Sequence, residues 1–470
     1  MSSATQPAAV TRRQWVLLFC LFLLSLPAVT TRIYSSDEIQ YFAYLRSLWF
    51  DRDLSFENEY RYFYDRGIAQ SEGFHETFLE RQTEAGRRVN FGTIGCAILW
   101  APFYAAGDIL ARVTGMPADG FSKPYIAAVA YGSAVYGFAA IVFAMLSAER
   151  LGLAPFGAAL AVWFGTPLLF YMYVAPPFSH ACSAFAVALF MWTWLKVRAS
   201  WSIQGAFALG AAGALMAMIR EQDLFFVAGP AADFVLTGFR LQASGFRLAA
   251  GAAGVLGFAA AYIPQAIVYV RLNGHLGPSR LVTRKMSWHA PHALQVMFSP
   301  EHGYFVWTPL ALIAIAGLVW LAVATNQSDR RVAGCMLLVI ALQVYVGGSV
   351  ESWTVAGAFG QRRFIALTAF LVIGLAALMQ ARAGFRLRKR ATTVVVALAV
   401  YWNLALIAEF ATGLMDRQRL EPAKNAYDAF ITVPRLAPSL AYRYLFERSS
   451  FYRGPRSESR GRSETRGPSS

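Results

Sequence analysis

The chain has 470 residues, of which 57% are hydrophobic and only 15% charged, with a mean hydropathy of +0.42. Soluble domains carry about 25% charge, so this composition excludes a soluble enzyme, a disordered chain and a disulfide-rich secreted domain. The net charge of +15 sits on no soluble domain, which argues against nucleic-acid binding and for membrane topology signals and anionic-lipid contact. The apolar stretches are continuous rather than alternating, unlike the strands of a membrane β-barrel. The expected fold is an all-α polytopic membrane protein. The four cysteines, Cys20, Cys96, Cys182 and Cys335, lie in apolar runs without CxxC spacing and read as buried thiols.

In chain order, about eleven spans are expected, at 14–34, 124–148, 153–173, 178–197, 203–219, 224–238, 246–270, 304–324, 332–348, 364–381 and 392–411. Several are shorter than the roughly 20 residues that cross a bilayer. The stretch 224–238 reads equally as half of a hairpin with 203–219 or as a broken helix. Arg12 and Arg13 before the first apolar run also fit a secretory signal peptide; a retained helix is the reading here, because the run continues to Ile33. With these arginines inside, the following short inner loops carry Arg150, then Lys196 and Arg198, then Arg240 and Arg247, then Arg330 and Arg331, and finally five basic residues over 382–390. Every short inner loop is basic, as orientation by positive charge requires.

The unusual polar chemistry falls in the outer loops. The first, about 35–123, holds 13 of the 27 acidic residues. Within it, Ile39, Phe42, Leu45 and Trp49 share one face of a helix over 37–50, which suits a helix lying on the membrane surface. A second interfacial segment is expected over 91–113, broken by Gly95, Pro102 and Gly107, and 70–88 reads as polar and partly mobile. One membrane domain is expected over 1–445, followed by an Arg/Ser/Gly-rich tail at 446–470 that reads as disordered.

The sharpest local feature is Ser35-Ser36-Asp37-Glu38, directly after the first span. Two readings stand. Ser35 with Glu38 makes a capping box, with Asp37 complementing the helix dipole. Alternatively, a carboxylate at the membrane surface takes a proton from an attacking hydroxyl. The two are compatible, since a cap fixes the pair in place.

A first membrane helix followed at once by Asp-Glu and a surface helix resembles the GT-C integral membrane glycosyltransferases, such as the protein O-mannosyltransferases and the aminoarabinose transferases. The stretches Asn90-Phe-Gly-Thr-Ile-Gly, Trp100-Ala-Pro-Phe, Phe298-Ser-Pro-Glu-His-Gly-Tyr-Phe-Val-Trp-Thr-Pro and Gly360-Gln-Arg-Arg-Phe look like bacterial family 39-type members. The resemblance implies a polyprenyl-monophosphate sugar donor and an inverting displacement onto a lipid, glycan or protein acceptor. It places the site outside the membrane, facing the periplasm of a bacterial inner membrane. By that implication Asp37 is the catalytic base and Glu38 orients acceptor or donor. Arg362 and Arg363 are the first choice for the donor phosphate, since Arg binds phosphate bidentately; anchoring to lipid headgroups is the plainer account of either one.

Further substrate-binding candidates are His180 at the outer rim, Arg220 and Gln222 within Arg220-Glu221-Gln222-Asp223, and Asp108 as a second acid. Arg284, Lys285, His289 and His292 are available to an anionic acceptor or lipid. Some members of the resembled group use divalent ions. Glu72, His75 and Glu76 have helical spacing compatible with a metal, but no obligatory metal is expected. The rival functions are a flippase or transporter of lipid-linked glycans, a non-catalytic subunit of an envelope complex, and an oligosaccharide ligase or polymerase using diphosphate-linked glycans.

Overall fold

A computed structural model describes residues 10–238, 245–355, 357–381 and 386–451. Among them every named element is a helix, and the chain is an all-α, multi-pass integral membrane protein. Among the described residues seven helices have the length and hydropathy to cross a bilayer: Gly95–Thr114, Lys123–Arg150, His180–Val197, Gly245–Asn273, Gln327–Ser349, Arg362–Ala381 and Arg390–Thr412. Three shorter apolar helices, Phe156–Gly165, Ile203–Ile219 and Pro309–Ala324, pack among them. The tail expected to be disordered over 446–470 begins in structure instead, since Phe446 ends the helix Val433–Phe446 and Arg448–Phe451 is a 3₁₀ turn. Its remainder, 452–470, together with Arg240 and Arg382 of the expected inner loops, lies outside the described residues.

Several expected spans are interrupted at proline, which lacks the amide that would continue the ladder. The first helix, Arg12–Ser25, gives way at Pro27 to a short turn and extended backbone, so it does not run on to residue 34. The 153–173 stretch divides into Phe156–Gly165 and Leu168–Tyr173 around Pro167. Backbone freed at membrane depth needs a partner, and Asn403 supplies it: its amide donates to the carbonyls of Phe164 and Thr166, at 2.8 and 3.1 Å.

Gly95–Thr114 differs from the expected broken segment. It is one continuous helix of 20 residues despite Pro102. It runs antiparallel to Lys123–Arg150: the Tyr136 hydroxyl donates to Leu99 O, and a Cβ on Gly107 would meet Pro124 and Ala128. Small residues let other helices touch in the absence of a hydrophobic drive between them. A Cβ on Gly210 would lie 1.9 Å from Gly254 O, and one on Gly317 would lie 1.9 Å from Gly374 O.

Two sets of polar contacts mark the two ends of the bundle. At one end Val10 N donates to Glu149, Arg198 reaches Ser328, and Asp233 is closed in ion pairs with Arg198 and Arg331 at 2.8 and 2.7 Å. At the other, Thr30 N donates to Tyr173 O, Leu420 N to Pro300 O, and the Tyr444 hydroxyl to Ala28 O. The first long loop belongs to this second end. Its 70–88 stretch is ordered: Gln82 and Arg88 form a bridge, Thr83 hydrogen-bonds to Leu272 O, and Glu84 accepts from Arg280 N at 2.6 Å.

Candidate functional site

The helix expected over 37–50 runs over Ser36–Arg46 and continues as a π turn over Ser47–Asp51. It is packed within the protein rather than presenting one apolar face outward: Ile39, Gln40, Phe42, Ala43, Tyr44 and Leu45 are all buried. Its start is built by the capping box. The Ser35 hydroxyl accepts from Glu38 N, while Glu38 Oε2 accepts from Ser35 N and Tyr34 N at 3.0 and 2.9 Å. Glu38 is fully buried in this role and faces these amides; burial pushes its carboxyl up to about 8. Asp37, one residue earlier and 100° round the helix, points the other way and stays 37% exposed.

Asp37 Oδ2 meets Arg362 Nη1 at 2.6 Å, across 325 positions of sequence. Arg362 begins a 3₁₀ segment, Arg362–Leu367, that precedes the helix Thr368–Ala381. Its guanidinium lies over the Phe178 ring at 5.4 Å. Around this pair the remaining candidates converge. Arg220 Nη1 contacts His180 Nδ1 at 3.2 Å, and Arg220 Nη2 donates to Gln222 Oε1 at 3.2 Å. The Gln222 amide donates to Arg363 O at 2.9 Å, and Arg363 donates to Ser352 O at 2.9 Å. His180 is buried, with Tyr171 edge-on at 4.4 Å. Thus Asp37, Arg362, Arg363, His180, Arg220 and Gln222 form one cluster. Among the described residues, only Arg362 of its three arginines has a carboxylate in ion-pair range.

The cluster borders a cavity of about 470 Å³, lined in part by Tyr41, Arg220, Glu221, Gln222, Lys285 and Arg363. Asp37 and Arg362 are not among its lining residues; the chain joins them to residues that are, since Tyr41 is one helical turn on from Asp37 and Arg363 follows Arg362. Both cavity-lining segments that carry the polar groups, Glu221–Val227 and Arg362–Leu367, are 3₁₀ turns opening onto longer helices. Irregular backbone at membrane depth is tolerated where it lines such a cavity. Tyr41, Glu221, Gln343 and Ser352 complete the surroundings. Gln343 donates to Gln222 O at 3.1 Å, and Glu221 is held by the Tyr269 hydroxyl.

Other candidates lie elsewhere. Asp108 is occupied by Arg112, at 3.0 Å, and by the Tyr125 hydroxyl, so it serves the contact between two helices. His75 turns to Glu80 and Glu76 to Arg81, at 3.0 and 3.1 Å. Glu72, His75 and Glu76 do not converge, and among the described residues no group of three or more His, Cys, Asp or Glu side chains could hold a metal ion. His292 stacks on Trp353 at 5.4 Å, and Lys285 reaches the cavity.

Glu38→Gln tests the separation between cap and site. Gln presents an oxygen to the same two amides, so function and folding at pH 7 should persist. The folded protein holds the Glu38 proton more tightly than the unfolded chain, so wild-type stability falls as pH rises from about 4.5 to about 8. Thermal unfolding against pH should show that slope shrink in Glu38→Gln. Glu38→Ala should unfold earlier at every pH, because the Tyr34 and Ser35 amides lose their acceptor, at about 0.5–1.5 kcal/mol for each bond.

No family model matches the chain, and no curated protein matches its sequence.

Proposed function

We propose that the protein is a membrane glycosyltransferase that moves a sugar from a polyprenyl-monophosphate carrier to an acceptor at the outward face. The observation that carries this reading is the Asp37–Arg362 contact in a cluster whose two further arginines, Arg220 and Arg363, line a cavity and, among the described residues, have no carboxylate in ion-pair range. A carboxylate beside surplus fixed cations suits a reaction in which a hydroxyl loses a proton and a phosphate leaves as an anion.

The step follows from these positions. The acceptor hydroxyl oxygen forms a bond to the anomeric carbon on the face opposite the phosphate. The bond from that carbon to the phosphate oxygen breaks, and its electron pair stays on the phosphate. Arg220, Arg362 and Arg363 offset the charge that develops there. The hydroxyl proton passes to Asp37. An arriving phosphate competes for Arg362, which frees Asp37 from its ion pair and sets a second negative charge close by; both changes make it a better base.

A route for the carrier's hydrocarbon leads away from the cavity. Glu221 and Pro278 line both the cavity and a neighbouring apolar space, and Leu224 lines both that space and a groove between Ile203–Ile219, Ala228–Gly238 and Gly245–Asn273. From Ala266 to Ala250 this path follows 16 helical residues, about 24 Å, most of a hydrocarbon core roughly 30 Å thick.

The transmembrane arrangement in this reading is eleven crossings in a bacterial inner membrane with the site toward the periplasm. The contacts at each end of the bundle join stretches that the basic-loop pattern puts on one side, which supports the alternation. A transport function has no comparable support: the buried carboxylate toward the opposite end, Asp233, is held in ion pairs with Arg198 and Arg331. Proteoliposomes given labelled lipid-linked sugars test the proposal. Transfer by the wild type that is lost in Asp37→Asn supports it; full transfer by that variant removes Asp37 from the base role.

A further inference from the structure

A second apolar groove lies across the short helix Leu168–Tyr173 from the cluster. That helix turns Tyr171 toward His180 and presents Leu169 and Tyr173 to the groove. The groove encloses about 520 Å³. Its walls include Leu404, Ala408 and Ala411, and its roof is the helix Val433–Phe446 through Ala441 and Tyr444. The roof is pinned to the end of the first helix: the Tyr444 hydroxyl donates to Ala28 O at 2.8 Å and Arg448 Nη1 to Val29 O at 2.6 Å. Outward-facing Tyr442, Leu445 and Phe446 are 57, 53 and 72% exposed, as suits a helix lying in the membrane interface.

Depth and charge define the occupant. From Leu404 to Thr412 the groove follows eight helical residues, about 12 Å, so it admits a chain from one leaflet, unlike the path of about 24 Å on the other side of the site. The stretch 433–451, which includes the roof, carries Arg435, Arg443 and Arg448 against Glu447. The chain's own terminus is the wrong material to fill an apolar groove: apart from Tyr452, 452–470 contains no Ala, Val, Ile, Leu, Met, Phe or Trp. Apolar walls under a cationic rim fit an amphiphile with a negative headgroup.

We infer that this groove seats the acyl chain of an anionic lipid from the outward leaflet, and that this lipid is the sugar acceptor. The second clause rests on the transferase reading. Val174 lines the groove, and Phe178, four residues on, lies under Arg362. The headgroup reaches the site over this turn. A headgroup hydroxyl supplies the oxygen that bonds to the anomeric carbon, its proton goes to Asp37, and the phosphate departs with the electron pair of the broken bond.

The test uses the full-length protein in liposomes containing phosphatidylglycerol with a photoreactive group in one acyl chain. Labelling should map to 404–412 and 440–444. It should drop about tenfold, or roughly 1.4 kcal/mol, in both Ala408→Trp and Ala411→Trp, which fill the groove, with elution from gel filtration confirming folding. Ala231→Trp, in the groove on the other side, should leave it unchanged, and a phosphatidylcholine probe should label far less. Equal labelling in both filled variants, equal labelling by phosphatidylcholine, or crosslinking of these residues to another protein instead would overturn the inference. Labelling does not depend on Asp37, so a failed transfer assay sinks the transferase reading while leaving the lipid in its groove. Conversely, transfer that persists in the filled variants sinks the acceptor assignment alone.

Discussion

Asp37→Asn is expected to slow sugar transfer by about 10²–10⁴-fold, the usual worth of a positioned general base, with the folded protein intact. The substitution keeps the shape of the side chain and an oxygen for Arg362, but removes the site that accepts the proton. Stability should change little. The ion pair is partly open to solvent, with the two side chains 37% and 23% exposed, and such pairs contribute about 0–1 kcal/mol. Single-turnover transfer with donor in excess separates the chemical step from donor binding, which should be kept or improved, because Arg362 becomes free for the phosphate. Loss of donor binding with an unchanged chemical rate would assign Asp37 to positioning instead.

Arg363→Gln should weaken donor binding and slow its departure together. Arg363 lines the cavity and has no carboxylate in ion-pair range, although its guanidinium is anchored by Ser352 O and Oγ at 2.9 and 3.3 Å. A fixed donor aimed at developing charge is worth about 10²–10³-fold in rate. Arg220→Gln should act similarly and also release His180. The useful control is Arg112→Gln, which breaks the pair with Asp108 far from the cavity residues and should leave donor affinity unchanged. If Arg363→Gln matched that control, the surplus cations would belong to lipid anchoring and the phosphate assignment would fall.

The polar residues of the site were visible in the sequence because charge is conspicuous in a chain this apolar. Arg220, Gln222, Arg362, Arg363 and His180 all stand at the edges of apolar runs. What the sequence does not contain is which edges meet. The contact of Asp37 with Arg362 spans 325 positions, and no local periodicity encodes it. The capping box was legible because it is local, yet its depth of burial was not, so the opposed fates of Asp37 and Glu38 emerged only with the packing.

Asp233 was overlooked for the converse reason. It sits in an apolar run, and its partners Arg198 and Arg331 read as loop signals for topology. Uncharged Tyr41, Gln343 and Ser352 gave no signal at all. Helix ends were mislaid where hydropathy outweighed proline: Pro27 and Pro167 end helices inside stretches that are apolar throughout. The unbroken Gly95–Thr114 shows the opposite error, since Pro102 is accommodated within the helix.

The fate of the carrier tests the central claim most directly. Wild-type protein in liposomes, given a polyprenyl-monophosphate sugar labelled in both sugar and lipid, is predicted to release one polyprenyl monophosphate for each sugar transferred. Recovery of the lipid-linked sugar intact on the opposite leaflet, or turnover only of a diphosphate-linked glycan, would contradict the account.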